Sequence, residues 1–440
     1  MLDISRNKLL FNFFIFIAIL IILSFFYGFY IGENSAGAGG YSGDFQHVWN
    51  NLNIFKENSF IDSILITSGK NPEYSYHSSR TPLIYALNSI LNPFISNKSS
   101  YILSVFIFSL LTYLFFFLAL KLRYEKILGK STIFLLSTIL LLSPYYRTSA
   151  FWALEENFGI FFLILSFIFL NNLKNINYKK NNYLNIFFIT FSSSLCVYCD
   201  QKLLIVPLIC LIETLKNKNI KNKSKIFMII LYFLYSLPFI YLINLWGNII
   251  PTIDASSRKT LQNYFFENIG YSISIIAFYI FPFLFFKKEK FFFLIKNKIS
   301  NKKYIYIVFL FLIYLIFLYK FDYINVNSIG NGVVYKLSIT LFNNFNLSKH
   351  FLYISFFVSW LVILFFIDNK KDFLIIIYFL LSTIFIFPIF QEYFDPIIIL
   401  LILLFFNTKL HFNLRNISFL LVYLIIFCVV ANLKYNYNFF

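Results

Sequence analysis

The chain has 440 residues, 59% of them hydrophobic and 13% charged, with a mean hydropathy of +0.74. A soluble domain carries about 25% charged residues, so an ordinary soluble enzyme is excluded. The formal net charge of +18 would suit a nucleic-acid binder, but the basic residues sit in separate short segments between apolar runs rather than on one basic face.

Apolar runs recur from residue 9 to residue 433. They predict an all-α polytopic membrane protein, a single transmembrane domain over 1–440, with about 13 transmembrane helices and a range of about 11–13. The first run, residues 9–31, is uncharged and long enough to cross a hydrocarbon core of about 30 Å, so it reads as a retained signal anchor. The runs at 131–143, 158–170, 203–212 and 396–406 are short and are expected to be re-entrant or partly penetrating.

Assigning the intervening segments alternately to two sides places 1–8, 121–130, 171–182, 213–225, 287–303, 368–372 and 407–415 together. These hold 25 of the 37 Lys and Arg and 6 of the 19 Asp and Glu. That asymmetry puts the N-terminus in the cytoplasm, with the basic loops against anionic head groups. The AT-rich style of composition leans towards a bacterial inner membrane, multi-pass, with a periplasmic active face. Of the four cysteines, Cys196 and Cys199 form a C-x-x-C inside an apolar segment without a second pair or a histidine cluster. They read as packing residues rather than zinc ligands.

The opposite face carries the groups that can do chemistry. Its longest segment, 32–100, opens with a Gly-rich stretch and contains Asp44, His47, His77 and Arg80. Residues 45–56 and 82–92 have the apolar spacing of short helices lying on the membrane surface, and together they would form a lid. A second segment, 144–157, contains Arg147, Trp152 and the adjacent Glu155 and Glu156. A third turn holds Asp200 and Lys202. A fourth segment, 247–269, holds Asp254 and Arg258, a fifth covers 320–350, and a sixth contains Glu392. Each group also has a bland reading. Asp44 suits a helix cap, Glu155 and Glu156 suit a first helical turn favoured by the dipole, and the cations suit snorkelling to head groups.

Four stretches together resemble the GT-C superfamily of membrane glycosyltransferases. They are Gly43-Asp44 just after the first span, Arg80-Thr81-Pro82-Leu83, Ser143-Pro144-Tyr145-Tyr146-Arg147 through Glu155-Glu156-Asn157, and Trp246-Gly247-Asn248 with Pro251. The resemblance covers roughly residues 1–285. It lacks a Trp-Trp-Asp-Tyr-Gly sequence, an Asp-x-Asp pair and a soluble C-terminal domain, which argues against an oligosaccharyltransferase. It implies a polyprenyl-phosphate-linked sugar as donor, with membrane lipid and a glycan, lipid or protein acceptor as partners. It also implies an inverting transfer. With no clear metal-ligand cluster in the sequence, no obligatory metal or other cofactor is expected.

On that resemblance Asp44 is the expected general base, and Glu155 or Glu156 positions the acceptor or the base. Arg147, Arg258 and Lys202 are expected at the donor phosphate, and His77, Arg80, Trp152 and Glu392 at the substrate. The competing readings are an O-antigen-type polymerase or ligase and a lipid-linked saccharide flippase or transporter. The first usually places its large outer loop late in the chain. The second favours internal repeats and charges at the bilayer midplane, and the span centres here are almost free of charge.

Overall fold

The computed structural model describes residues 2–35, 43–68, 81–174, 183–247, 264–288, 302–324, 330–342, 345–386 and 388–435. Among these residues every regular element is helical. Seven helices among the described residues are long and apolar enough to cross a membrane, which is compatible with an integral membrane protein. The chain divides into two compact units, residues 1–255 with 424–440, and residues 256–423.

The first unit begins with α1 (Leu2–Ile31). Gly32 ends it with φ +64°, and the Glu33 amide donates back to the Gly28 carbonyl at 2.9 Å. This is the left-handed glycine stop of a Schellman motif, and it folds Glu33 back beneath the helix end. Three short helices follow, α2 (Asp44–Glu57), α3 (Phe60–Thr67) and α4 (Leu83–Leu91), then the long α5 (Lys98–Tyr124). Phe45, Val48, Leu52 and Phe55 recur along one face of α2. They pack with Tyr85 and Ala86 of α4, Tyr101 and Val105 of α5, and Ala153 and Leu154. The α2–α4 pair therefore roofs the N-terminal end of α5.

The run expected to be short at 131–143 forms α6 (Lys130–Ser137) and a 3-10 extension over Thr138–Leu142, buried throughout its last eight residues. At about 1.5 Å per residue it is too short to span alone, and protein surrounds its deep end. Ser143 then caps α7 (Pro144–Phe151), accepting from the Tyr146 amide at 3.0 Å with Pro144 in the first turn. The run at 158–170 is not short: α8 runs Glu156–Lys174 and reaches membrane length. Its polar ends are helical because internal partners satisfy them; Asn157 Nδ2 donates to Ser109 Oγ and to the Tyr146 carbonyl. The unit continues through α9 (Tyr183–Cys199), a 3-10 turn at Gln201–Leu204, α10 (Ile205–Lys216) and α11 (Asn222–Trp246).

The second unit is built around α12 (Glu267–Ile280), extended as a 3-10 segment to Phe286 and buried along most of its length. Around it come α13 (Lys302–Lys320), α14 (Gly332–Leu341), α15 (Phe345–Phe366) and α16 (Lys370–Ser382). Next is α17 (Ile397–Leu400), which passes into a π-helical turn over Leu401–Phe405. The final helix α18 (Leu414–Tyr435) is shared between the two units. Residues 397–405 are all buried and, as nine helical residues, reach only about 14 Å.

One buried carboxylate ties this unit's chain reversal together. Asp372 accepts from the Asn407 amide at 3.0 Å, the Thr408 amide at 2.8 Å, Thr408 Oγ1 at 2.7 Å and Asn369 Nδ2 at 2.7 Å, while its own amide donates to Asn369 Oδ1. Asp372→Ala removes the shared acceptor and leaves the buried Thr408 amide and hydroxyl without it, and is expected to cost about 3 kcal/mol. A thermal melt of the detergent-purified variant checks this, and an unchanged midpoint contradicts it.

Candidate functional site

The site is best built outward from Arg147. Every N–H of its guanidinium has an acceptor: Nε gives to Glu33 Oε1 at 2.7 Å, Nη2 to Glu33 Oε2 at 2.5 Å and to the Ser24 carbonyl at 2.9 Å, and Nη1 to Ser24 Oγ and the Leu141 carbonyl. Phe25 and Phe151 cover the guanidinium with ring centroids at 5.6 and 5.4 Å. Both ends of this bidentate pair are buried. The Glu33 carboxylate also accepts from Ser35 Oγ at 3.0 Å, its carbonyl accepts from Trp152 Nε1 at 3.0 Å, and the Ser35 amide gives to Thr148 Oγ1. The chain leaving α1 is thus fastened along α7. A Cβ on Gly28 would lie 2.6 Å from Arg147 Nη2 and 2.8 Å from Phe151, so only glycine lets the pair form there.

Directly after α7 the chain reverses through Ala153, which takes φ +54°. This conformation is strained for a side chain bearing Cβ. It is held by burial of Ala153 and Leu154 in the α2–α4 cluster and by the Leu154 amide bonding to the Ser149 carbonyl at 3.0 Å. The reversal presents Glu155 and Glu156 at the start of α8, both buried. Tyr85 Oη of α4 donates to Glu155 Oε1 at 3.1 Å, and Ser149 Oγ to Glu156 Oε2 at 3.3 Å. Glu155 also acts electrostatically on the Tyr101 phenol of α5, whose oxygen is fully enclosed and has no hydrogen-bond partner among the described residues.

The α9 turn supplies a fourth buried carboxylate. Asp200 caps the 3-10 turn through the Lys202 amide at 3.1 Å and pairs with Lys202 Nζ at 3.1 Å. The Lys202 ammonium lies 5.6 Å from the centre of the Tyr145 ring. Gly159, one turn into α8 from Glu155 and Glu156, brings these groups into one neighbourhood. A Cβ there would meet Leu203 at 2.8 Å and the Asp200 Cβ at 3.4 Å, so its absence seats the α9 turn on α8. Cys199 lies within electrostatic range of both Asp200 and Glu155. The lid is tied to the same turn by Thr81 Oγ1, which donates to the Tyr198 carbonyl.

The structure treats the residues singled out in the sequence differently. Glu155, Glu156 and Lys202 come together at this end of the first unit. Arg147 and Trp152 lie beside them in framework roles, Arg147 with its five donors committed to protein acceptors and Trp152 bound to the Glu33 carbonyl. Asp44 is exposed in the first turn of α2, after Gly43, which makes no side-chain cap bond. Glu392 lies in a 3-10 turn of the second unit. His77, Arg80 and Arg258 fall outside the described residues.

Glu33, Tyr85 and Tyr101 were not singled out in the sequence, and Asp200 stood there only as a charge in the third turn. Glu33 carried one usable signal: it is a carboxylate placed immediately beyond an uncharged span, where an unpaired charge is costly. All four cysteines are buried thiols, and Cys196 Sγ packs against the Gly159 carbonyl at 3.4 Å. Among the described residues no three His, Cys, Asp or Glu side chains are arranged to hold a metal ion. No known family, curated protein or solved structure matches the chain.

Gly28→Ala is expected to push apart Glu33, Arg147 and Phe151 and lower stability by about 2–3 kcal/mol. Gly129→Ala, where nothing lies within 4 Å of the added carbon, serves as the neutral control. Thermal melts of the two variants side by side test this, and equal midpoints would contradict it.

Proposed function

We propose that this protein is a membrane glycosyltransferase of the GT-C type. It would move a sugar from a polyprenyl-phosphate carrier to an acceptor hydroxyl at the outer face of a bacterial inner membrane. The observation that carries this reading is the set of buried carboxylates, Glu155, Glu156 and Asp200, gathered under an amphipathic lid at one end of membrane-length helices. Carboxylates in such a place are costly to keep and mark a site of chemistry. The charge distribution supports assigning this end to the non-cytoplasmic side, where a carrier lipid keeps its tail in the bilayer and offers its phosphate at the surface.

The transfer needs a base for a weak nucleophile and a cation for a departing phosphate. The acceptor oxygen attacks the anomeric carbon from the face opposite the phosphate. As the new C–O bond forms, the carbon–phosphate-oxygen bond breaks, its electron pair stays on the phosphate, and the acceptor proton passes to a carboxylate. Asp44, exposed at the head of the lid helix, is assigned as that base. Glu155, oriented by Tyr85, and Glu156, oriented by Ser149, would position the acceptor. With Arg147 committed to Glu33, the donor phosphate falls to Lys202 and Arg258, and Arg147 becomes a positioning residue. His77, Arg80, Trp152 and Glu392 remain the proposed substrate contacts.

Transfer is tested with purified protein in proteoliposomes and a panel of undecaprenyl-phosphate-linked hexoses and pentoses. Asp44→Asn and Glu155→Gln are each expected to lower turnover by about 10²-fold or more while keeping the wild-type melting temperature. A folded Asp44→Asn protein with undiminished turnover removes Asp44 as the base.

A further inference from the structure

The far end of the lid has a feature that the transfer chemistry does not use. Helix α4 finishes with Ile90 and Leu91, 74% and 71% exposed, and Phe94, 55% exposed, follows within three residues. Three large apolar side chains side by side in water are a liability unless something covers them.

Their depth identifies the cover. Asn92, the C-cap of α4, donates through Nδ2 to Ser104 Oγ of α5 at 3.0 Å, and its Oδ1 receives the Phe94 amide at 2.9 Å. Ser104 lies six residues into α5, which begins at Lys98, so the tip is held about 9 Å along that helix from its start. At that level α5 already turns an apolar stripe outward: Leu103, Ile107, Leu111 and Leu114 are exposed along one side of a membrane-length helix. The tip's apolar side chains lie alongside the first turns of a helix whose outward face is built for lipid.

We infer that Ile90, Leu91 and Phe94 form a wedge that inserts among the acyl chains of the leaflet next to the site, anchoring the lid in the bilayer. Three polar ties carry that anchor inward: Asn92 to Ser104, Thr81 to the Tyr198 carbonyl, and Tyr85 to Glu155. Seating of the wedge in lipid thereby sets the position of the Tyr85 hydroxyl that orients Glu155. The inference concerns the lid and the bilayer and holds whatever reaction the carboxylates perform.

The test uses single-cysteine spin labels on the full chain in liposomes of phosphatidylethanolamine and phosphatidylglycerol. Leu91→Cys is compared with Glu57→Cys, an exposed position at the end of α2; the four native cysteines are buried. Collision with oxygen, which concentrates in hydrocarbon, is measured against collision with a nickel chelate, which stays in water. The wedge predicts a several-fold excess of oxygen over nickel contact at 91 and the reverse at 57. Nickel contact at 91 equal to that at 57 would place the tip in water and overturn the inference. A label at 91 reached by neither reagent would mean that a protein surface covers it, and would overturn it equally. None of these outcomes depends on sugar transfer.

Discussion

A guanidinium and a carboxylate taken together out of water lose several kcal/mol of hydration per ion, and only close geometry with further hydrogen bonds offsets that loss. Glu33 and Arg147 meet this condition. The pairing is bidentate, the remaining Arg147 donors reach Ser24 and the Leu141 carbonyl, and two aromatic rings close over the guanidinium. Such a pair adds little net stability compared with an apolar contact of equal volume, but it forbids alternative arrangements, since breaking it leaves a buried charge. Here it fixes where the chain leaving α1 runs relative to α7. The Ala153 reversal and the start of α8 follow directly from α7, so the position of Glu155 depends on it.

The remaining architecture of this end is arranged around that carboxylate. The lid is fixed by apolar packing along α2 and by polar ties from α4, and the same helix that buries Ala86 in the cluster delivers the Tyr85 hydroxyl to Glu155. Asp200 and Lys202 arrive by a different route, through the close approach that Gly159 permits. The result is an arrangement of opposite charges and aromatic rings in which each carboxylate has its own neutral or cationic partner. The three are therefore held in distinct environments, the usual way of giving similar acids different tasks.

The long apolar runs that became α1, α5, α11 and α18 could be read directly, because a helix that faces lipid must be apolar all along its length. Shorter elements were harder for the opposite reason: α6 with its 3-10 extension, and α17 with its π turn, are enclosed by protein, which frees them from any length requirement. For α8 the apolar count misled, since the Asn157 amide is satisfied by Ser109, 48 residues earlier, and Glu156 by Ser149 of the preceding helix. Arg147 drew attention as a cation near carboxylates, and nothing local revealed that its partner lies 114 residues earlier. Asp372 was likewise read only as part of the segment 368–372, with nothing local to mark it as the acceptor for a turn 36 residues later. The amphipathic spacing at 45–56 and 82–92 is a short-range signal and corresponds closely to α2 and α4.

The dependence of this end on Glu33 and Arg147 is tested most directly by a double-mutant cycle of Glu33→Leu and Arg147→Met, read by equilibrium unfolding in mixed micelles. If the pair is the constraint described, each single change strands a buried charge and costs about 3–5 kcal/mol. The double change should cost no more than either single one, giving a coupling energy of similar size. Additive losses, or single changes of a few tenths of a kcal/mol, would mean that the two side chains do not hold α1 to α7 and that Glu155 is positioned by other contacts.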